Sequence, residues 1–255
     1  RALIPSISPQ GLAFPAIYRY KDTYFFLYTQ KNVRLTDLNQ EGGRAILGWD
    51  ASAYTVFKNL LSKGLSGSFD CSATGRLQKA ISELLQSERK ALLFSSKKDA
   101  MGAALFLDRQ SASVYKPFSG VDYSAVKNVI VAPPLPWTGN FYVLAVKDFD
   151  GGIEAENFPP ALCAAAARAV YDLICALKVR QEKDFFIYDK VLTKFFERKA
   201  CWLRPKIPQE KYDDFVLACM DAAVLVNPDY NADSLVPFGA DKGVLKKLGE
   251  LDAKF

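Results

Sequence analysis

Two periods run through the apolar positions of this chain. Alternating or continuous apolar runs predict strands over 25–28, 33–38, 45–49, 91–94, 113–115, 126–132, 141–146 and 223–226. Apolar residues three and four apart predict helices over 53–62, from about 75 to 85, from about 99 onward, and over 159–177, 188–198, 207–220 and 242–248. Between 33–38 and 45–49 the residues Asn39 to Gly43 predict a turn, so these two strands are expected to form a hairpin. The Gly- and Ser-rich 63–68 reads as a loop. Pro133, Pro134 and Pro136 remove three backbone donors within four residues, which excludes regular structure there. Residues 129–132 are apolar throughout, as in a sheet covered on both faces.

The order of elements is α/β in the first part and α+β in the second. A loop over 148–156, with two glycines and four acids, places a boundary near residue 152. The expected organisation is an N-terminal hairpin segment over 1–50 that packs with the small domain, a reduced α/β core over 51–152, and a C-terminal α+β domain over 153–255.

One stretch, 88–107, carries the most chemistry. An apolar strand breaks at Ser95 and Ser96 and resumes as an alanine-rich helix. Backbone N–H groups at such a turn, with serine hydroxyls beside them, form an anion pocket. Lys97 and Lys98 add positive charge. The candidate phosphate-binding residues are therefore Ser95, Ser96, Lys97 and Lys98. The plainer alternative is a capped helix with two solvated lysines.

Composition narrows the chemistry. The chain has 33 basic and 28 acidic residues, a net charge of +5. The basic residues are scattered, with no stripe of interleaved aromatics, which argues against nucleic acid as a partner. No apolar run is long enough to span a bilayer, and Arg1 to Pro5 lacks the apolar core of a signal peptide. Five cysteines, Cys71, Cys163, Cys175, Cys201 and Cys219, form no C-x-x-C pair. They read as free thiols in a reducing, cytoplasmic setting. The chain contains no histidine. That removes Ser-His-Asp hydrolysis, Cys-His proteolysis and histidine metal sites, and no metal is expected. The carboxylate pairs Asp213/Asp214, Asp148/Asp150 and Glu154/Glu156 read as solvated acids. Arg204 could bind a carboxylate.

Several segments, in order, resemble the class III aminotransferases of the pyridoxal-phosphate fold type I group, including the glutamate-semialdehyde aminomutases. Residues 2–9 are similar to that family's N-terminal Pro-containing motif, 33–39 to its Asp-Gly hairpin, 46–48 to the Ile-Leu-Gly that follows, and 63–68 to a Lys-Gly-Leu-Ser loop. Ser96-Lys97-Lys98-Asp99-Ala100 falls where the family has Ser-Gly-Thr-Glu-Ala, the turn that holds the cofactor phosphate. Residues 227–237 look like the turn and strand of its small domain. The resemblance implies a reduced large domain with an α+β small domain, pyridoxal phosphate as the cofactor, and a homodimer or pairing with a related aminotransferase.

The departures are specific. Lysines replace Gly and Thr in the phosphate turn. No Asp matches the group that pairs with the pyridinium nitrogen, and the histidine-containing ring-stacking element cannot exist here. The family's Schiff-base lysine precedes consecutive glycines, and Lys147, before Gly151 and Gly152, is the one segment of that form. Asp148 and Asp150 flank it, and neighbouring carboxylates raise a lysine's pKa, the wrong direction for a nucleophile. The expectation is a catalytically degenerate aminotransferase-like protein with a binding or scaffold role and a phosphate or carboxylate ligand at the Ser95–Lys98 turn. Two alternatives stay open. One is an active enzyme with Lys147 as Schiff base. The other is a non-enzymatic interaction module using aromatics around Tyr18 to Tyr28 and Trp137.

Overall fold

The computed structural model describes residues 17–18, 25–49, 51–67, 72–137, 139–239 and 242–251. The motif expected at 2–9 and Cys71 lie outside the described residues. In chain order the strands are β1 (Ile17–Tyr18), β2 (Phe26–Thr29), β3 (Arg34–Asp37), β4 (Lys90–Phe94), β5 (Ala112–Val114), β6 (Asn128–Val131), β7 (Tyr142–Val146), β8 (Phe196–Lys199), β9 (Trp202–Pro205), β10 (Val224–Leu225) and β11 (Ser234–Leu235). The helices are α1 (Gln40–Gly43), α2 (Ala53–Ser62), α3 (Ser72–Leu84), α4 (Lys97–Leu107), α5 (Pro160–Val179), α6 (Glu182–Phe186), α7 (Asp189–Leu192), α8 (Tyr212–Asp221) and α9 (Lys246–Gly249). Contacts divide the chain into two compact units, one of residues 51–179 and one that joins 1–50 to 180–255.

In the 51–179 unit a four-stranded sheet runs β4-β7-β6-β5. β7 is antiparallel to both β4 and β6, and β5 is parallel to β6. Strand alternation puts Leu92, Phe94, Ile130, Leu144 and Val146 against Ala100 and Ala104 of α4. The two alanines let the helix lie close to large side chains. A buried hydrogen bond from the Asn128 side-chain amide to the Ala104 carbonyl, 3.1 Å, fixes α4 along β6. The alternate positions Ala91, Leu93, Val129, Val143 and Ala145 are also buried, so the sheet is covered on both faces.

α5 packs on α2 and α3. Ala165, Ala166, Ala167 and Ala169 are fully buried, and their small size permits close approach. This packing assigns α5 to the 51–179 unit, so the division falls at 179/180, whereas the loop composition places it near 152. At the start of α2, the Arg168 Nε–H donates to the Ser52 hydroxyl at 2.9 Å and pairs with Asp172 at 3.0 Å, while Ser52 donates to Asp172.

In the other unit, β1, β2, β3 and β10 form one sheet and β8, β9 and β11 a second. Two sequence expectations change here. Residues 45–49 form turns, not a strand, because β10 takes the free edge of β3 in parallel, Val224 opposite Thr36. Ala45, Ile46 and Trp49 are buried all the same. The hairpin is instead β2–β3, with Leu27 opposite Leu35. The helix expected over 188–198 stops at Leu192, and β8 follows from Phe196. Phe195 and Phe196 both pack on the Phe215 ring, with centroids 5.3 and 5.7 Å away, and β8 pairs with β9. Helical spacing at Val191, Leu192, Phe195 and Phe196 is overridden by these tertiary partners.

α1 winds left-handed, with φ of 44° at Gln40, 51° at Glu41, 65° at Gly42 and 97° at Gly43. At Gly43 a Cβ would meet the Trp202 ring at 3.1 Å, so both the backbone angle and the space call for glycine.

Candidate functional site

The strand–turn–helix predicted around residue 95 is present as β4 running into α4. Ser96 is the N-cap, with extended backbone at φ −127° and ψ 131°. Its hydroxyl accepts from the backbone N–H groups of Lys98 and Asp99 at 3.2 and 3.3 Å. Two of the helix's first donors are therefore satisfied by the chain itself. Lys97 and Lys98 are exposed, and Asp99 places a carboxylate in the same first turn.

Ser95 has a partner that its own segment does not announce. Its backbone N–H donates to Glu156 Oε1 at 2.8 Å, and its hydroxyl donates to the same oxygen at 2.9 Å. The Glu156 backbone N–H donates to the Leu93 carbonyl at 2.9 Å. Glu156 reads from sequence as a solvated acid; its carboxylate is instead bound to the turn, although the residue remains exposed.

Lys147 lies elsewhere. Register pairs Lys90 with Val146 and Phe94 with Tyr142. Lys147 therefore follows the end of β7 that sits beside the start of β4, while Ser95 follows the far end of β4. Six residues of antiparallel strand separate the two levels, roughly 20 Å at about 3.4 Å per residue. The Lys147 N–H donates to the Lys127 carbonyl at 3.1 Å. The Asp122 carboxyl, held below its ordinary range chiefly by the Ser124 hydroxyl and backbone N–H, also feels the charge of Lys147. A Schiff-base lysine and a phosphate turn must grip two ends of one small ring. Lys147 and Ser95–Lys98 do not form one pocket, because β7 runs antiparallel to β4 and delivers Lys147 to the wrong end. After Lys147 the chain turns through Asp148 at φ 48°.

The remaining candidates are dispersed. Arg204 is exposed on β9. Trp137 stacks on Phe57 with centroids 5.0 Å apart. Among the described residues no three Cys, Asp or Glu side chains gather as a metal-binding set, and no helix is long and apolar enough to cross a membrane. Cys163, Cys201 and Cys219 are buried and in no disulfide, and Cys175 is exposed; burial raises the Cys201 thiol to about 12.

One further feature was not singled out by the sequence. In the unit of 1–50 and 180–255, Phe186, Ile187, Tyr188 and Phe238 line an open cavity of about 450 Å³, with Lys183 and Asp184 at its margin. Arg180 stacks on Phe238, 3.9 Å from the ring centroid, and donates to the Ile46 carbonyl at 2.9 Å. Burial lowers its pKa to about 10. The adjacent aromatics Phe185 and Phe186 were the available signal; Phe185 is buried and Phe186 exposed.

Comparison with known proteins places this architecture. The chain is 24% identical over 267 residues to an uncharacterized protein of Treponema pallidum (strain Nichols), covering 84% of this chain and 86% of that protein. No family model matches. Among solved structures it is similar to the ornithine aminotransferase of Toxoplasma gondii crystallized with oxidized glutathione, which has partial occupancy of PLP at its active site. That likeness has a TM-score of 0.69 at 10% identity, over 94% of this chain and 89% of the other. It is also similar to an omega-transaminase from Sphaerobacter thermophilus, TM-score 0.70 at 9% identity, over 95% of this chain and 94% of that one. The fold is that of the class III aminotransferases, the pyridoxal-phosphate fold type I architecture, in reduced form. At these identities the likeness carries the fold alone.

Proposed function

We propose that this chain is a catalytically degenerate aminotransferase-like protein with a scaffold or binding role. The observation that carries this reading is the β4–β7 register, which holds Lys147 and the Ser95–Lys98 turn at opposite ends of the sheet. A lysine and a phosphate turn that cannot meet on one ring do not make a cofactor site. Two further points support the reading. The chain has no histidine for ring stacking or proton transfer, and the Ser95 donors are engaged by Glu156.

The test is spectroscopic. Protein incubated with excess pyridoxal phosphate is freed of unbound cofactor and scanned through the visible range. The expected spectrum has no band from protein-bound cofactor. A stable band that disappears in Lys147→Ala overturns the proposal, as does measured transfer from any amino donor.

A further inference from the structure

The resembled family holds a phosphate at the turn that corresponds to residues 95–98. We propose that in this chain Glu156 is a tethered occupant of that turn, a carboxylate that fills the anion position and closes it to phosphate. The inference rests on reading the turn as a former phosphate site.

Four observations combine. Both donors of Ser95, backbone and hydroxyl, converge on one oxygen of Glu156, at 2.8 and 2.9 Å. These are charge-assisted bonds, shorter and stronger than neutral ones. The carboxylate is also held in place by its own backbone, through the Glu156 N–H to the Leu93 carbonyl at 2.9 Å. A group anchored this way competes at a high effective concentration, which a free anion must exceed. The next donors of the turn, Lys98 N–H and Asp99 N–H, already face the Ser96 hydroxyl. Finally, Glu156 and Asp99 together place two carboxylates where an incoming phosphate would bring more negative charge, which offsets the attraction of Lys97 and Lys98. Four donors of the turn are thus engaged without a ligand.

The experiment follows the backbone amide resonances of Ser95 to Asp99 by NMR while inorganic phosphate, and separately pyridoxal phosphate, is titrated into the full chain. In the wild-type protein the Ser95 amide is expected to stay unperturbed through the millimolar range. Glu156→Ala frees two donors and removes one negative charge, so it is expected to bind phosphate about tenfold more tightly, with the Ser95 amide moving. Glu156→Gln keeps an acceptor oxygen without the charge and is expected to fall between the two. It also serves if the alanine variant does not fold. Equal titrations of wild type and variants, whether all bind or none does, overturn the inference. So does a wild-type Ser95 amide that shifts with phosphate. A visible cofactor band dependent on Lys147 would sink the preceding proposal while leaving the Ser95 amide to decide this one.

Discussion

The indole N–H of Trp49 donates to Asp37 Oδ2 at 2.9 Å, inside the buried base of the left-handed α1 turn. The other carboxylate oxygen of Asp37 accepts from the backbone N–H groups of Asn39 at 3.0 Å and Gln40 at 2.8 Å. One acid therefore fixes both the start of the turn and the tryptophan beyond it. These bonds favour the ionised form, but burial outweighs them and raises the Asp37 pKa to about 6.

This gives a pH dependence with a definite sign. The folded pKa lies above the ordinary value of 3.8. The associated stability is fully present below the unfolded pKa and is lost as pH rises through 6. Urea unfolding of the wild-type protein is expected to gain about 1 kcal/mol from this group between pH 7 and pH 5. In Asp37→Asn that gain should vanish, seen as a flatter difference curve over the same window. An unchanged curve would mean that Asp37 does not titrate there.

Gln40 is fully buried, and neither its side-chain oxygen nor its nitrogen has a hydrogen-bond partner among the described residues. A buried unpaired amide costs about 1–3 kcal/mol. Gln40→Met, which removes both polar atoms at similar volume, is expected to raise the urea midpoint. A lowered midpoint would point to an internal water bridging the amide.

Arg89 is 2% exposed. Its guanidinium donates to the carbonyls of Lys127 and Tyr123 at 2.8 Å each, and to the Ser87 hydroxyl at 2.8 Å through Nε. It links the start of β4 to the loop that leads into β6. Arg89→Ala is expected to lower unfolding free energy by about 3–5 kcal/mol, because several buried carbonyls lose their donors together. Arg89→Lys should recover only part of this, since an ammonium cannot span the same fork. Calorimetric melting of both variants checks the order.

Ser96→Ala removes the hydroxyl that caps Lys98 and Asp99. The expected cost is about 1 kcal/mol. Thermal unfolding measures it, and Ser96→Asp, which restores an acceptor, should recover most of the loss.

The β4–turn–α4 elbow was legible because its signal is local: an apolar run, two serines, then a helical pattern, with Ser96 serving as its own cap. Glu156 was not legible. Its partner lies 61 residues away in sequence, and nothing in the Glu154–Glu156 segment distinguishes a bound carboxylate from a solvated one. Lys147 illustrates a different limit. The sequence places it after a strand and before glycines, yet says nothing about strand direction, and direction alone separates it from Ser95. Residues 195–196 fit a helix by spacing; the Phe215 ring, brought in from α8, and the pairing of Phe196 with Pro205 of β9 decide against it.

The Glu156 N–H to Leu93 carbonyl bond has a consequence for how the molecule meets its copies. β4 and β5 are the two margins of the four-stranded sheet. The loop at 156 lies along the β4 margin and takes up a carbonyl there, while β5 offers only three residues. A margin that is either covered or very short gives another strand little to zip onto, so this sheet is guarded against growing from one molecule into the next.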